Sequence, residues 1–423
     1  MERVKLSRNR ASPEPGTRRA RRLTVLRAAA LFDGAGSALM TEPSVVIADG
    51  RIAAVLGPAE PAPADAEIVE LPGLTLMPGL VDAHVHLCFD ASEDPVGHLE
   101  GTSDAVLRER MAGAARQALR AGVTTVRDLG DRGYLALDLR DRPGDADPLP
   151  TILAAGPPIT TPGGHCHFLG GAVSGIRGVR GAVRERAERG VDVIKVMASG
   201  GNLTPGSLPH EPQFDAEALR HIVEEAHRHG LPVTAHAHAP RSIADAVAAG
   251  ADGIEHASFL TADGVDAPES TIQALVGRRT AVGCTVGRQP GPHVAPSPLA
   301  SRMAKLGATR RRLYQSGALL VPGSDAGISP GKPHGVLRFA PDDLLSAGLS
   351  PAEVMQAMTS GAAQACGLGH SKGRIAAGFD ADILAVDGNP LTDPAAIRRL
   401  RAVYARGLPV IPGPDFRASA EAR

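Results

Sequence analysis

The spacing of apolar positions divides the chain into two kinds of segment. Up to residue 77, apolar residues come in runs of strand length separated by turn residues. Residues 23–31 and 44–56 read as short strands. Asp49-Gly50 is a type I′ hairpin signal between Val45-Val46-Ile47 and Ile52-Ala53-Ala54-Val55. Residues 58–65 form a Pro/Ala loop, and residues 67–77 read as a further strand pair. After His86 the pattern changes to strands alternating with helices. Residues 104–122 carry Val106, Met111, Ala115 and Leu119 at helical spacing with a glycine stop. Asp215 can cap a helix whose stripe is Leu219, Ile222, Val223 and Ala226, ending at Gly230; residues 242–249 are helical too. Strands are predicted at 80–85, 123–129, 151–159, 191–197, 231–237, 253–260, 281–286 and 318–323.

Eight such strands, most followed by a helix, predict an α/β fold: a (β/α)8 TIM-type barrel over residues 78–370. Ser350-Pro351-Ala352-Glu353 is a capping box with proline at N1, opening a late helix that should run through Cys366. The β pattern then returns at 373–375, 381–386 and 402–404. Residues 23–77 and 371–423 are therefore expected to pack together as a small β-sandwich domain, the latter with a tail, preceded by a flexible basic leader at 1–22.

Composition narrows the function classes. At 43% hydrophobic and 22% charged residues, a large core is affordable and general disorder is not expected. A net charge of −1 argues against a nucleic-acid or anionic-membrane binder, and 3% aromatics without tryptophan argues against base stacking. No apolar run approaches the roughly 18 residues of a membrane span. Cys88, Cys166, Cys284 and Cys366 are far apart and form no CxxC, which fits a reducing, cytoplasmic setting without disulfides. A small-molecule substrate is the expected partner, and a homo-oligomer is left open.

The chemistry lies at the strand ends, where barrels of this type carry their functional residues. The 80–85 strand leads into His84 and His86, whose i, i+2 spacing puts both imidazoles on one face of an extended segment. The 191–197 run holds Lys195 among Val, Ile and Met, where an unpaired buried charge would cost several kcal/mol. Further ends carry His236 and His238, Glu255-His256, and Gly323-Ser324-Asp325. Imidazoles and carboxylates of this kind bind Zn²⁺ and can leave a position open for water. Spacing does not decide between His236 and His238 as ligand.

These residues resemble the metal-dependent amidohydrolase superfamily. The marks are Pro78-Gly79-Leu80-Val81-Asp82-Ala83-His84-Val85-His86, Lys195, His236, Glu255-His256, Gly323-Ser324-Asp325 and the closing Gly373-Arg374-Ile375 … Gly378-Phe379-Asp380-Ala381-Asp382-Ile383. Gly163-Gly164-His165 and Ser199-Gly200-Gly201 resemble the Xaa-Pro dipeptidase-like and imidazolonepropionase-related branch. The resemblance implies two divalent metals, Zn²⁺ foremost, bridged by an N6-carboxylated Lys195. His84, His86 and Asp325 would hold the first metal, and His236 and His256 the second. It implies a hydrolase of an amide, peptide-like or cyclic amide C–N bond, with metal-bound hydroxide attacking and Asp325 shuttling the proton. His165 is read as a catalytic contact to the substrate or its oxyanion. His238, Gly200, Gly201 and Asn202 are read as substrate-binding. Alternative readings are a deaminase, decarboxylase or biosynthetic enzyme of the same fold, or an inactive binding relative.

Overall fold

The structure is a computed structural model that describes residues 23–142, 147–291 and 302–413. The leader expected at 1–22 lies outside the described residues. β1 (Leu23–Leu31), β3 (Ser44–Ala48) and β4 (Arg51–Leu56) form an antiparallel set, with the two-residue β2 (Met40–Thr41) on β1. The hairpin turn is as expected: Asp49 and Gly50 have φ of 51° and 77°, and Ala48 pairs with Arg51. A type I′ turn needs both central residues at positive φ.

The strand pair expected at 67–77 is instead one long strand, β5 (Glu67–Pro78). Pro72-Gly73, which reads as a turn, is absorbed as an irregularity in the pairing with β1, where Ala28 faces Leu71 but Ala30 faces Thr75. Gly73 takes φ of 74° there, and Pro72 has no N–H to give the ladder. β5 also pairs antiparallel with β14 (Ile383–Asp387), which continues into β15 (Leu400–Ala405) and β16 (Leu408–Val410). The N- and C-terminal segments thus share one sheet, ordered β16-β15-β14-β5-β1-β3-β4. It has its own core of Leu26, Val45, Ile47, Ile52, Leu76, Ile383 and Tyr404.

The strand expected at 373–375 is absent. Gly373, at φ 79°, lies so close to the Thr359 carbonyl that a Cβ would come within 2.7 Å of it, and Ile375 N–H bonds Asp33 O at 3.0 Å. The segment is used to dock the sheet, not to extend it. The late helix is also interrupted. Its capping box forms, with Ser350 N–H on Glu353 Oε2 at 2.8 Å. After Pro351–Gln356 the chain makes a π-helical turn, Ala357–Gly361, before Ala362–Ala365.

All eight strands of the central region form, each parallel to its neighbours. β6 (Leu80–Val85), β7 (Val123–Asp128) and β8 (Thr151–Ala154) make one arc. β9 (Ile194–Met197), β10 (Val233–Ala237), β11 (Gly253–His256), β12 (Ala281–Thr285) and β13 (Leu319–Gly323) make the other. Parallel bridges Ile159–Val196 and Val85–Ala326 join the arcs at both seams. Their near-continuous apolar runs, buried on both sides, are what a helix-covered parallel sheet requires. Asp104–Arg120 and Ala216–Arg228 are among the covering helices, the latter capped by Asp215 Oδ1 on Ala218 N–H at 2.8 Å. Several strands end before the apolar run does, because their last residues leave the ladder to shape the mouth. No helix among the described residues is long and apolar enough to cross a membrane.

The terminal sheet is fastened beside β6 by a buried charge cluster. Lys372 Nζ donates to Asp382 Oδ2 at 2.6 Å and lies 2.8 Å from Asp380 Oδ2, while Asp382 O accepts Gly79 N–H at 2.9 Å. Lys372→Met should leave the buried Asp382 carboxylate without its cation, while Asp380 keeps Arg51 at 3.5 Å, and cost about 3 kcal/mol, at the low end for a broken buried pair. Urea unfolding of the variant, followed by circular dichroism, checks this; an unchanged midpoint would contradict it.

Candidate metal centre

Four strand ends of the larger arc and the end of β6 converge on one buried cluster. His236, His238 and His256 offer ring nitrogens within 4.8 Å of one another, and so do His84, His256 and an oxygen of Asp325. Asp325 Oδ1 stands 3.5 Å from Nε2 of both His84 and His86. His256 belongs to both groups, so the two sets adjoin.

Each imidazole is oriented through its other nitrogen. His84 Nδ1 bonds Glu255 Oε2 at 2.8 Å, His86 Nδ1 donates to Gly130 O at 3.1 Å, and His236 Nε2 donates to Gly200 O at 3.0 Å. His238 Nδ1 meets Ser258 Oγ at 2.7 Å, and His256 Nδ1 lies 3.4 Å from Thr285 Oγ1. Pinning one nitrogen leaves the other as a directed lone pair, which is how metal-binding histidines are commonly supported. Burial pushes His86 and His238 down to about 4, and pushes His236 and His256 well below the usual imidazole range. At neutral pH these rings are therefore uncharged and able to ligate. Burial alone would raise the Asp325 carboxyl, but His84 and His86 beside it hold it below the ordinary carboxylate value.

Lys195 lies among these groups at 1% exposure, and its Nζ has no hydrogen-bond partner. Burial lowers its ammonium to about 8. A stranded cation of this kind fits chemistry that replaces the charge. The backbone is also specialised here. His256 and Asp325 take positive φ of 69° and 57°, conformations that cost about 1 kcal/mol or more for residues with a side chain.

Of the loop residues expected at the site, His165 is brought in. The His165 ring lies 4.7 Å from that of His236, with Nδ1 unpartnered, and burial lowers it to about 3; His167 is exposed. Gly200 and Gly201 are close-approach positions. A Cβ on Gly200 would meet Leu208 O at 2.2 Å, and one on Gly201 would meet His165 Nε2 at 2.4 Å. Asn202 is exposed. His238, left open by its spacing, stands in ligand range of His236 and His256 and stacks on His256 with centroids 4.5 Å apart.

The sequence marks Glu255 only as one of the carboxylates at the strand ends, without a role of its own. Its Oε1 accepts from Arg127 Nη2 at 2.9 Å and Thr234 Oγ1 at 2.6 Å, while Oε2 holds His84. Burial would raise this carboxyl, but His84 and Arg127 hold it well below the usual range. Arg127 also donates from Nε to Ala83 O at 2.7 Å. Gly283 makes room for Glu255, since a Cβ there would sit 2.0 Å from Oε2. Arg127 within Val-Thr-Thr-Val-Arg-Asp poses the same burial problem as Lys195, and that was the available signal.

A family model described as "Amidohydrolase family" matches residues 75–409. Among curated proteins, ochratoxinase of Aspergillus niger is 28% identical over 363 residues, 78% of this chain and 73% of that protein. Imidazolonepropionase of Deinococcus deserti is 26% identical over 392 residues, 84% of this chain and 88% of that one. A solved structure of a Xaa-Pro dipeptidase with bound methionine in the active site superposes with a TM-score of 0.81 at 26% identity, covering 92% of this chain and 99% of that one.

Glu255→Gln should loosen His84 without removing any residue of the candidate metal-holding groups. Metal affinity is expected to fall about 10–100-fold, the usual cost of losing such a supporting partner. Competition with a chromogenic chelator reads this directly, and wild-type affinity in the variant would count against the role.

Proposed function

The chain belongs to the amidohydrolase family, and we propose that it hydrolyses an amide, peptide-like or cyclic amide C–N bond at the cluster just described. The observation that carries this reading is the convergence of oriented neutral imidazoles, a buried carboxylate and an ammonium with no partner. The names of the dipeptidase and ochratoxinase relatives are consistent with hydrolysis.

The donor set fits two divalent ions, with Zn²⁺ the best match for imidazole and carboxylate together. In this reading His84, His86 and Asp325 hold one ion, and His236 and His256 the other. Lys195, carboxylated at Nζ, would supply further oxygen donors to this set. Carboxylation would turn a stranded cation into a two-oxygen anion, which accounts for its unpartnered burial. When bound, the ions supply Lewis acidity and lower the pKa of water towards about 7.

The protein's own groups then have distinct tasks. Asp325, kept ionised by His84 and His86, accepts the proton of the attacking water and returns it to the leaving nitrogen. His165, uncharged and with a free Nδ1, contacts the substrate carbonyl oxygen. His238, Gly200, Gly201 and Asn202 border the substrate. We read the two arcs, bridged at both seams, as one (β/α)8 barrel over 78–370. The terminal sheet with its separate core is read as a small β-sandwich domain from 23–77 and 371–423, the tail of which, at 414–423, lies outside the described residues.

Elemental analysis of protein purified with Zn²⁺ should give two ions per chain, and Lys195→Ala should lose at least one. An alanine variant with both ions and full rate would remove Lys195 from the site. Asp325→Asn keeps an oxygen ligand but cannot accept a proton. It should retain most of its metal and lose about 10²–10⁴ in turnover. In the parent enzyme the rate should fall on the acid side as the carboxylate is protonated. That limb, which belongs to Asp325 and its bound partner jointly, should change in the variant.

A further inference from the structure

Beside the cluster, the loops after β12 and β13 present two cations that the chemistry above does not use. Gly327 N–H bonds Lys332 O at 2.7 Å and Gln289 N–H bonds Gly331 O at 3.0 Å, so the loops are stitched together. Lys332 is 8% exposed, yet its Nζ makes only a long 3.4 Å contact to Val286 O, at the end of β12. It forms no ion pair among the described residues. The carboxylates whose fields reach it are committed elsewhere. Asp325 faces His84 and His86, Asp343 Oδ2 accepts Gly287 N–H at 2.8 Å, and Asp82 Oδ1 accepts Ser324 N–H at 2.7 Å. The guanidinium of Arg288, exposed after β12, lies over Gly331: a Cβ there would sit 2.5 Å from Nη1.

Two adjacent cations repel one another, and burying one without a partner is unfavourable. Burial pushes the Lys332 ammonium down to about 8, so it is still largely charged at neutral pH. Such a pair is stabilised by an anion from outside. Val286 follows Thr285, the neighbour of His256, and Lys332 is seven residues beyond Asp325, which places the pair at the rim of the cluster. We propose that Lys332 and Arg288 form a subsite for a carboxylate on the substrate, so that the preferred substrates are amides of amino acids with a free carboxyl group. This rests on the hydrolase reading above.

The test uses the two-metal enzyme and matched pairs: dipeptides and N-acetyl amino acids, each beside its decarboxy counterpart, such as glycylproline with glycylpyrrolidine. The carboxylate-bearing member should be hydrolysed with at least about tenfold higher kcat/KM, since one charge-assisted contact is worth that much. Lys332→Gln should raise KM for the acids about tenfold or more. It should leave kcat, metal content and the decarboxy substrates near parent values, and Lys332→Arg should restore discrimination. Arg288→Gln, at an exposed position that tolerates change, should shift KM in the same direction and covers the case of a poorly folding Lys332 variant. Equal turnover of acids and decarboxy amides would overturn the subsite while leaving the hydrolase reading intact. So would discrimination that survives both variants. Hydrolysis of no amide in the panel would overturn the hydrolase reading, and the subsite with it.

Discussion

The arrangement depends on one carboxylate. Glu255 is buried, accepts three side-chain hydrogen bonds, and is held ionised by His84 and Arg127. It joins three strands: β11, which carries it; β7, through Arg127; and β6, through His84. Thr234 of β10 adds a fourth. An anion in a low-dielectric interior is tolerable only when it is paired and hydrogen-bonded. These bonds fix the ring of His84, and with it the direction of its other nitrogen, towards Asp325. The same contacts tie the small arc to the large one, so site geometry and arc closure share one set of bonds.

Much of this was legible in the sequence because it is local. Parallel strands buried on both sides show as β-branched runs, and all eight were visible. His84 and His86 declare themselves by spacing, and Lys195 by its misfit in an apolar run. What was not legible depends on neighbours far away in sequence. Glu255 has a role only because Arg127 and His84 reach it. Pro72-Gly73 looks like a turn unless β1 is present to absorb the irregularity. Residues 373–375 have strand-like composition, but their close approach to the π-helical turn at Thr359 removes them from the sheet. Gly201 looks like a loop residue in sequence, and Gly283 and Gly323 look like weak points within predicted strands. In space they are clearances, for His165, Glu255 and His84 respectively.

The seam between the first and last strands has a further consequence. Val85 bridges Ala326, Asp325 N–H bonds His84 O, and Ser324 N–H bonds Asp82, a residue 242 positions earlier. The terminal sheet repeats the pattern, since β5 pairs with β14. Contacts of such sequence separation form late and slowly. During synthesis, His84 and His86 emerge long before Asp325 exists to face them. The cluster therefore cannot be complete until the last barrel strand has been made, and a truncated product ending before residue 323 would hold most of its imidazoles without the carboxylate of Asp325 that faces them.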